Sequence, residues 1–258
     1  MTEVDAFVGL AERLAAAVRP LVMGYFRSGV AIDDKADTTP VTAADREAEA
    51  AMRKMIGDAF PDHGILGEEY GPERTDAEYV WVLDPIDGTK AFISGMPAWG
   101  TLIGLMRFGE PVFGLMHQPF IRERFSGDGG AASYRGPVGD RDLTVRKCAG
   151  LGDALLYTTS PLLMNEADRA SFRKVENAVK LSRYGGDCYA YCMLAAGQID
   201  LIIETEIKPH DIVALIPIIN GAGGIITTWE NEPPQGGGRI VVAGDARVHR
   251  AALEMLKG

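Results

Sequence analysis

Six consecutive residues, Asp84-Pro85-Ile86-Asp87-Gly88-Thr89, carry the densest chemistry of this 258-residue chain. They follow the apolar run Tyr79-Val80-Trp81-Val82-Leu83, whose β-branched and aromatic residues predict a buried strand. Two carboxylates at a strand end, followed by a Gly-Thr turn, make an oxygen-rich mouth. Mg²⁺ favours such a mouth, because it takes hard oxygen ligands in octahedral geometry and keeps positions for water and phosphate. Gly88 lets the backbone approach a phosphate closely, and Thr89 adds a hydroxyl. An Asp-Gly pair also closes ordinary turns. That does not account for Asp84, a carboxylate placed where the strand has only just left the core. Its burial costs solvation unless a cation or donors compensate. The residues point to metal.

A second acidic group stands upstream in Ile65-Leu66-Gly67-Glu68-Glu69. Together the two segments resemble the signature of the inositol monophosphatase superfamily. Lys35 and Val41-Thr42-Ala43-Ala44-Asp45 resemble its early motif. Lys208-Pro209-His210-Asp211, followed by an apolar helix and Gly221-Ala222-Gly223-Gly224, resembles its late motif, with His210 where a Trp is usual. The resemblance spans nearly the whole chain. It implies a Mg²⁺-dependent phosphomonoesterase with two or three Mg²⁺ per active site, and a homodimer. It also implies a layered helix–sheet–helix–sheet–helix sandwich of the inositol monophosphatase and fructose-1,6-bisphosphatase type.

The bulk properties agree. The chain can bury an ample core as one large domain or two subdomains, and 47% apolar with 24% charged residues is ordinary for a globular enzyme. A net charge of −10 argues against a nucleic-acid or anionic-membrane partner. It leaves a small anionic phosphate ester open as partner, since bound cations reverse the local sign. Cys148, Cys188 and Cys192 are odd in number and lack Cys-x-x-Cys spacing, which suits reduced core residues of a cytoplasmic protein. The N-terminus shows no signal-peptide pattern, and no apolar run reaches membrane-spanning length.

The elements that must position the acids can be read from periodicity. Helical stripes cover Val4 to Phe26, with a capping box at Thr2 and Asp5, and Thr42 to Ala59, with another at Thr42 and Asp45. A hairpin over Gly100 to Phe108 and Pro111 to His117 continues into strands near residues 122–126 and 133–135. From residue 154 onward strand and helix alternate: strands 154–159, 180–184, 199–204, 225–229 and 240–243, helices 166–179, 187–196, 211–220 and 245–257. The expected organisation is an α+β subdomain over residues 1–140 with the metal motifs, then an α/β subdomain over 141–258 with Asp211 and the specificity residues.

Hydrolysis of a phosphomonoester is chiefly a charge problem, and two metal ions about 4 Å apart can solve it. Carried over by position, the resemblance implies that Glu68, Asp84 and the Ile86 carbonyl hold one ion. Asp84, Asp87 and Asp211 hold the other. Glu68 and Thr89 orient the attacking water, and the N–H groups of Gly88 and Thr89 cradle phosphate at a short helix start, Lys90–Ile93. No covalent intermediate is implied. Asp45 has the form of a helix cap, yet the resemblance sets it beside the cluster, as a ligand of a third ion or a neighbour of the ligands. Glu69 is expected there as a solvated neighbour. Lys90 is either a lure for phosphate or a solvated charge.

Arg183 to Cys192 and Gly197 to Glu204 resemble the histidinol-phosphate phosphatase branch, as do Asp87 to Ile93 and Lys208 to Asp211. Asp187 and Glu204, set beyond the metals with Asp87, Gly88, Thr89 and Asp211, would favour a cationic alcohol and leave a neutral polyol facing unpaired carboxylates. The implied reaction is L-histidinol phosphate to L-histidinol and phosphate, a step of histidine biosynthesis. Against this, Asp187 could cap a helix after Gly185-Gly186, Glu204 could be a surface acid, and His210 could merely pack. The alternatives are an inositol-1-monophosphatase or another small-ester phosphatase of the superfamily. From a different class comes a non-catalytic partner-binding protein on the same fold.

Overall fold

The computed structural model describes residues 3–28, 32–34 and 40–257. Lys35 and Thr2, and the side chain of Thr42, lie outside what is described. Helices α1 (Glu3–Tyr25) and α2 (Ala43–Ala59) form on the two apolar stripes. Between them β1 (Ile32–Asp34) and β2 (Pro40–Thr42) make an antiparallel ribbon. There follow β3 (Gly64–Gly67), β4 (Gly71–Glu73), β5 (Tyr79–Asp87) and α3 (Thr89–Ile93). The chain continues as β6 (Gly100–Arg107), β7 (Glu110–Gln118), β8 (Glu123–Gly127), β9 (Ala132–Arg135) and β10 (Arg141–Asp142). The strands from β3 to β10 build one eight-stranded sheet, ordered β10-β9-β8-β7-β6-β5-β3-β4. Within it β3 and β5 pair parallel, and the other neighbours pair antiparallel.

The later elements are β11 (Leu155–Thr158), α4 (Glu166–Glu176), β12 (Leu181–Tyr184), α5 (Asp187–Ala195) and β13 (Leu201–Ile207). Then come α6 (Pro209–Ile212), α7 (Leu215–Gly221), β14 (Ile225–Thr228), β15 (Gly238–Ala243) and α8 (Ala246–Lys257). Their strands form a mixed five-stranded sheet ordered β12-β11-β13-β15-β14, in which β15 runs antiparallel to both neighbours.

Three cores give the layering. Phe7, Leu10 and Leu14 of α1 pack with Met52 of α2 on Trp81, Leu83 and Leu115. Between the sheets, Cys192, Leu215 and Ile218 of α5 and α7 pack on Leu102 and Phe125 from one side and Ile202 and Val242 from the other. On the outer face Phe172 and Leu253 of α4 and α8 cover Leu156, Ile203 and Val241. This is the layered sandwich anticipated from the motifs. All three cysteines are free and buried. Among the described residues no helix is long and apolar enough to cross a membrane.

Two expectations need correction. The single helix over 211–220 is broken into α6 and α7. Pro217 has no N–H for the Val213 carbonyl, so the helical ladder cannot run through. Strand β3 was not anticipated, because its four residues include two glycines. It exists through pairing with β5 rather than through propensity.

Candidate active site

Parallel pairing sets Gly67 opposite Leu83. The next residues, Glu68 just past β3 and Asp84 within β5, therefore stand side by side, and the Glu68 N–H donates to the Leu83 carbonyl at 3.2 Å. Asp84 is only 2% exposed and accepts the Ile86 N–H at 3.0 Å on Oδ1. The β5–β6 register shifts between Asp84 and Asp87, an irregularity of the kind that re-aims side chains beside active sites. Thr101 on β6 pins it by donating its hydroxyl to the Pro85 carbonyl at 2.8 Å.

Gly88 then takes φ +85°, a left-handed conformation that suits glycine. A Cβ at this position would lie 3.0 Å from the Ala98 carbonyl oxygen and 3.1 Å from Asp187 Cβ. Thr89 opens α3 and donates its hydroxyl to the Ile86 carbonyl at 3.2 Å. From the other end of the chain, Asp211 reaches the cluster on α6. Its Oδ2 accepts the Lys208 N–H at 2.7 Å, and His210 Nε2 lies 3.3 Å from its Oδ1.

Three groups of carboxylate and imidazole atoms come within 4.8 Å of one another: Asp84, Asp87 and Asp211; Glu68, Asp84 and His210; Asp45, Glu68 and Glu69. Thus Glu68, Asp84, Asp87 and Asp211, from three separate segments, converge as the sequence implied. His210 joins them rather than packing elsewhere. Asp45 is buried in the first turn of α2 next to Glu68.

Burial, and after it repulsion from Glu68, Asp87, Asp211 and Asp45, pushes the Asp84 carboxyl well above the usual carboxylate range. Burial with Asp211 and Asp187 does the same to Asp87, opposed by hydrogen bonding from Cys188. Asp211 is raised by burial and moderated by His210 and the Lys208 N–H. Hard oxygen donors that repel one another in this way fit a divalent cation, which removes the repulsion.

Glu69 departs from expectation. Its side chain is 4% exposed and faces Arg46 at 3.8 Å, so it is not solvated. The turn it occupies is held by a residue the sequence reading passed over. Glu49, fully buried on α2, accepts the N–H groups of Glu69 at 2.7 Å and Tyr70 at 3.2 Å, and pairs with Arg53 at 2.7 Å. The Glu49 carboxylate fills the space where a Gly67 side chain would stand. A carboxylate on the inward face of α2, beside Ala48 and Met52, was the available signal.

Beyond the Gly88–Thr89 turn lies a narrow cavity of about 30 Å³, lined among others by Asp87, Thr159, Asp187, Tyr191 and Glu204. Asp187 does not cap α5: Gly186 is the N-cap, no side chain caps the helix, and Asp187 itself holds φ +42°. Burial lifts its carboxyl to about 6, against Lys90 and the Thr159 hydroxyl. Glu204 is no surface acid. It is 5% exposed and accepts the Thr159 N–H at 2.7 Å, the Thr159 hydroxyl at 2.9 Å and the Thr158 hydroxyl at 3.1 Å. Burial still raises it to about 7. Tyr191, also missed, turns a buried hydroxyl with no hydrogen-bond partner to this cavity. It occupies an apolar-looking helical position that gave no hint of a polar task.

Comparison with known proteins bears on the same residues. The model of the inositol monophosphatase family matches residues 3–257. The bifunctional phosphatase IMPL2, chloroplastic, of Arabidopsis thaliana is 44% identical over 99% of this chain and 76% of the relative. A histidinol-phosphatase of Streptomyces coelicolor is 34% identical over 96% of this chain and 95% of its own. The structure of an inositol monophosphatase from Zymomonas mobilis superposes with a TM-score of 0.90 at 40% identity, covering 100% of both chains.

Proposed function

This chain belongs to the inositol monophosphatase family and is a phosphatase, and from that premise we propose that it hydrolyses L-histidinol phosphate to L-histidinol and phosphate with Mg²⁺. The observation that carries the substrate is the acid-lined cavity past the phosphate turn, where Asp187 and Glu204 approach one small space. About 30 Å³ is the room of a water or an ammonium group. An alkylammonium next to the ester carbon would place its charge there. A neutral polyol would bring no charge to either acid, leaving Asp187 with Lys90 alone and Glu204 with only the hydrogen bonds of Thr158 and Thr159.

The residues divide the work. Glu68, Asp84 and the Ile86 carbonyl would hold one Mg²⁺, and Asp84, Asp87 and Asp211 the other. The chemistry such ions supply is charge neutralisation at the phosphoryl oxygens and the departing alkoxide, with acidification of water. Glu68 and Thr89 orient a water for in-line attack on phosphorus. Thr89 Oγ1, whose own hydrogen is committed to the Ile86 carbonyl, accepts a hydrogen bond from that water, and the Glu68 carboxylate takes the proton the water gives up. The first N–H groups of α3 face the phosphate oxygens. As the new P–O bond forms, the P–O bond to the alcohol breaks, and the alkoxide leaves as alcohol after taking a proton from water. Asp45 and Glu69 stand beside Glu68 as further oxygen donors. The cytoplasmic location and the homodimer belong to this reading.

A second reading, inositol 1-phosphate as substrate, draws on the unpartnered Tyr191 hydroxyl, which could serve a polyol. Phosphate release from the two esters, assayed side by side with Mg²⁺, separates the readings. Faster turnover of histidinol phosphate is expected. Faster turnover of inositol phosphate would replace the substrate and leave the reaction standing.

A further inference from the structure

A cavity of about 550 Å³ opens elsewhere, lined by Arg19, His117, Arg122, Arg124, Arg135 and Gly136. It shares no lining residue with the acidic centre. In a chain of net charge −10, four guanidiniums around one cavity are a local reversal of sign.

Sheet register assembles them. Residues Phe113 and Leu115 of β7 pack in the core under α1, and strand alternation puts His117 on that same face. His117 stands opposite Arg124 across β7–β8, and Arg124 stands opposite Arg135 across β8–β9. Like charges directly opposite destabilise a sheet. Glu12 of α1 offsets part of this by pairing with Arg124 and approaching Arg135 at 3.5 Å, while Asp140 lies 3.6 Å from Arg135. Arg19 donates Nε to the Pro119 carbonyl at 3.1 Å. Neither Arg19 nor Arg122 has an acidic partner among the described residues. Positive charge is left over.

His117 adds chemical selectivity. It is 2% exposed, and its Nδ1 lies 3.0 Å from the Glu123 carbonyl, which can only accept, so Nδ1 carries the hydrogen. Burial, with Arg124 and Arg19 nearby, holds the ring neutral, down to about 4. Its Nε2 is therefore a buried lone pair, and it has no hydrogen-bond partner. A ligand satisfying both features brings anionic oxygens to the guanidiniums and an O–H to Nε2. Carboxylate or chloride lacks the O–H, whereas hydrogen phosphate or a hydroxylated phosphomonoester has it.

We propose that this arginine-lined cavity is a second anion site, separate from the reaction centre, binding a phosphate that carries or adjoins a hydroxyl donor. The test is calorimetric titration of the intact chain in EDTA, where the acidic centre repels phosphate. Inorganic phosphate and glycerol 3-phosphate are the two probes. One equivalent of at least one probe should bind. The Arg19→Gln/Arg122→Gln double variant should weaken it by about tenfold or more, as loss of charge-assisted hydrogen bonds requires. His117→Phe should weaken it also, while acetate should fail to compete. Tighter binding of inorganic phosphate would identify the free ion as ligand, and tighter binding of glycerol phosphate an ester. No heat from either probe overturns the proposal. So does binding that the double variant leaves unchanged.

Discussion

The backbone N–H of Cys188 donates a 2.7 Å hydrogen bond to Asp87 Oδ2 across 101 residues of sequence. Asp87 ends β5 in the large sheet, and Cys188 lies in the first turn of α5, which packs between the sheets. One bond thus fixes the acid cluster relative to the cavity lined by Asp187 and Glu204. Changes on either side are expected to be separable in kinetics even though the two parts touch.

Replacing Asp84 by Asn should abolish Mg²⁺-dependent turnover by about a thousandfold, the several kcal/mol that metal charge stabilisation supplies. Stability should move the other way. The Asp84 carboxyl is raised in the folded protein, so its favourable contribution is complete below the unfolded value and is lost as pH climbs through the folded one. In EDTA the variant should therefore match wild type near pH 4 and melt several degrees higher near pH 8. Thermal melts across that range, with and without Mg²⁺, check both limbs. A constant gap would refute the repulsion argument.

Asp187→Asn should cut kcat/KM for histidinol phosphate by about a hundredfold, in line with removing one member of a desolvated charge pair, and spare inositol 1-phosphate. Glu204→Gln should act alike and add a pH signature. With Glu204 raised to about 7, its ionised fraction, and with it affinity for a cationic alcohol, grows as pH passes through 7. The variant should lose that limb, while the substrate's own imidazole titrates identically in both proteins. Equal losses on both esters would make the two acids structural.

Glu49 holds the turn carrying Glu68 through two backbone N–H groups. Glu49→Gln should lower stability by about 1–3 kcal/mol and raise the Mg²⁺ concentration for half-maximal activity by about 10–100-fold. Turnover at saturating Mg²⁺ should recover. A Mg²⁺ titration reads this directly, and a kcat that stays low at saturation would show that Glu49 does more than position the turn.

Tyr191→Phe removes a buried hydroxyl with no partner. The melting temperature should rise, since an unsatisfied group costs about 1–3 kcal/mol. Catalytic efficiency should fall, more for the polyol ester than for the ammonium ester. Loss of stability instead would show that the hydroxyl is satisfied in solution by ordered water.

Much of this site was legible because its acids sit in short contiguous motifs at element ends. Asp84, Asp87 and Thr89 announce a strand stopping in oxygen ligands, and Asp211 follows a Lys-Pro that must start a turn of helix. Glu49, Tyr191 and Thr159 were not legible. Their tasks arise from what folding brings opposite them: a turn twenty residues away for Glu49, and a cavity between two sheets for Tyr191. The arginine row was hidden for a related reason, since Arg124 and Arg135 meet only through the β8–β9 register, and Arg19 reaches them only because α1 packs on that sheet. Helix breaking at Pro217 could have been read from the missing N–H alone.

The rung joining Gly67 to Leu83 has a mechanical consequence. Spacing between Glu68 and Asp84 is inherited from a hydrogen-bonded ladder inside an eight-stranded sheet, where a slip of one residue would turn every side chain to the opposite face. The reactive geometry is as stiff as the sheet itself. On heating, turnover should persist until the sheet melts and then vanish with it, in a single transition.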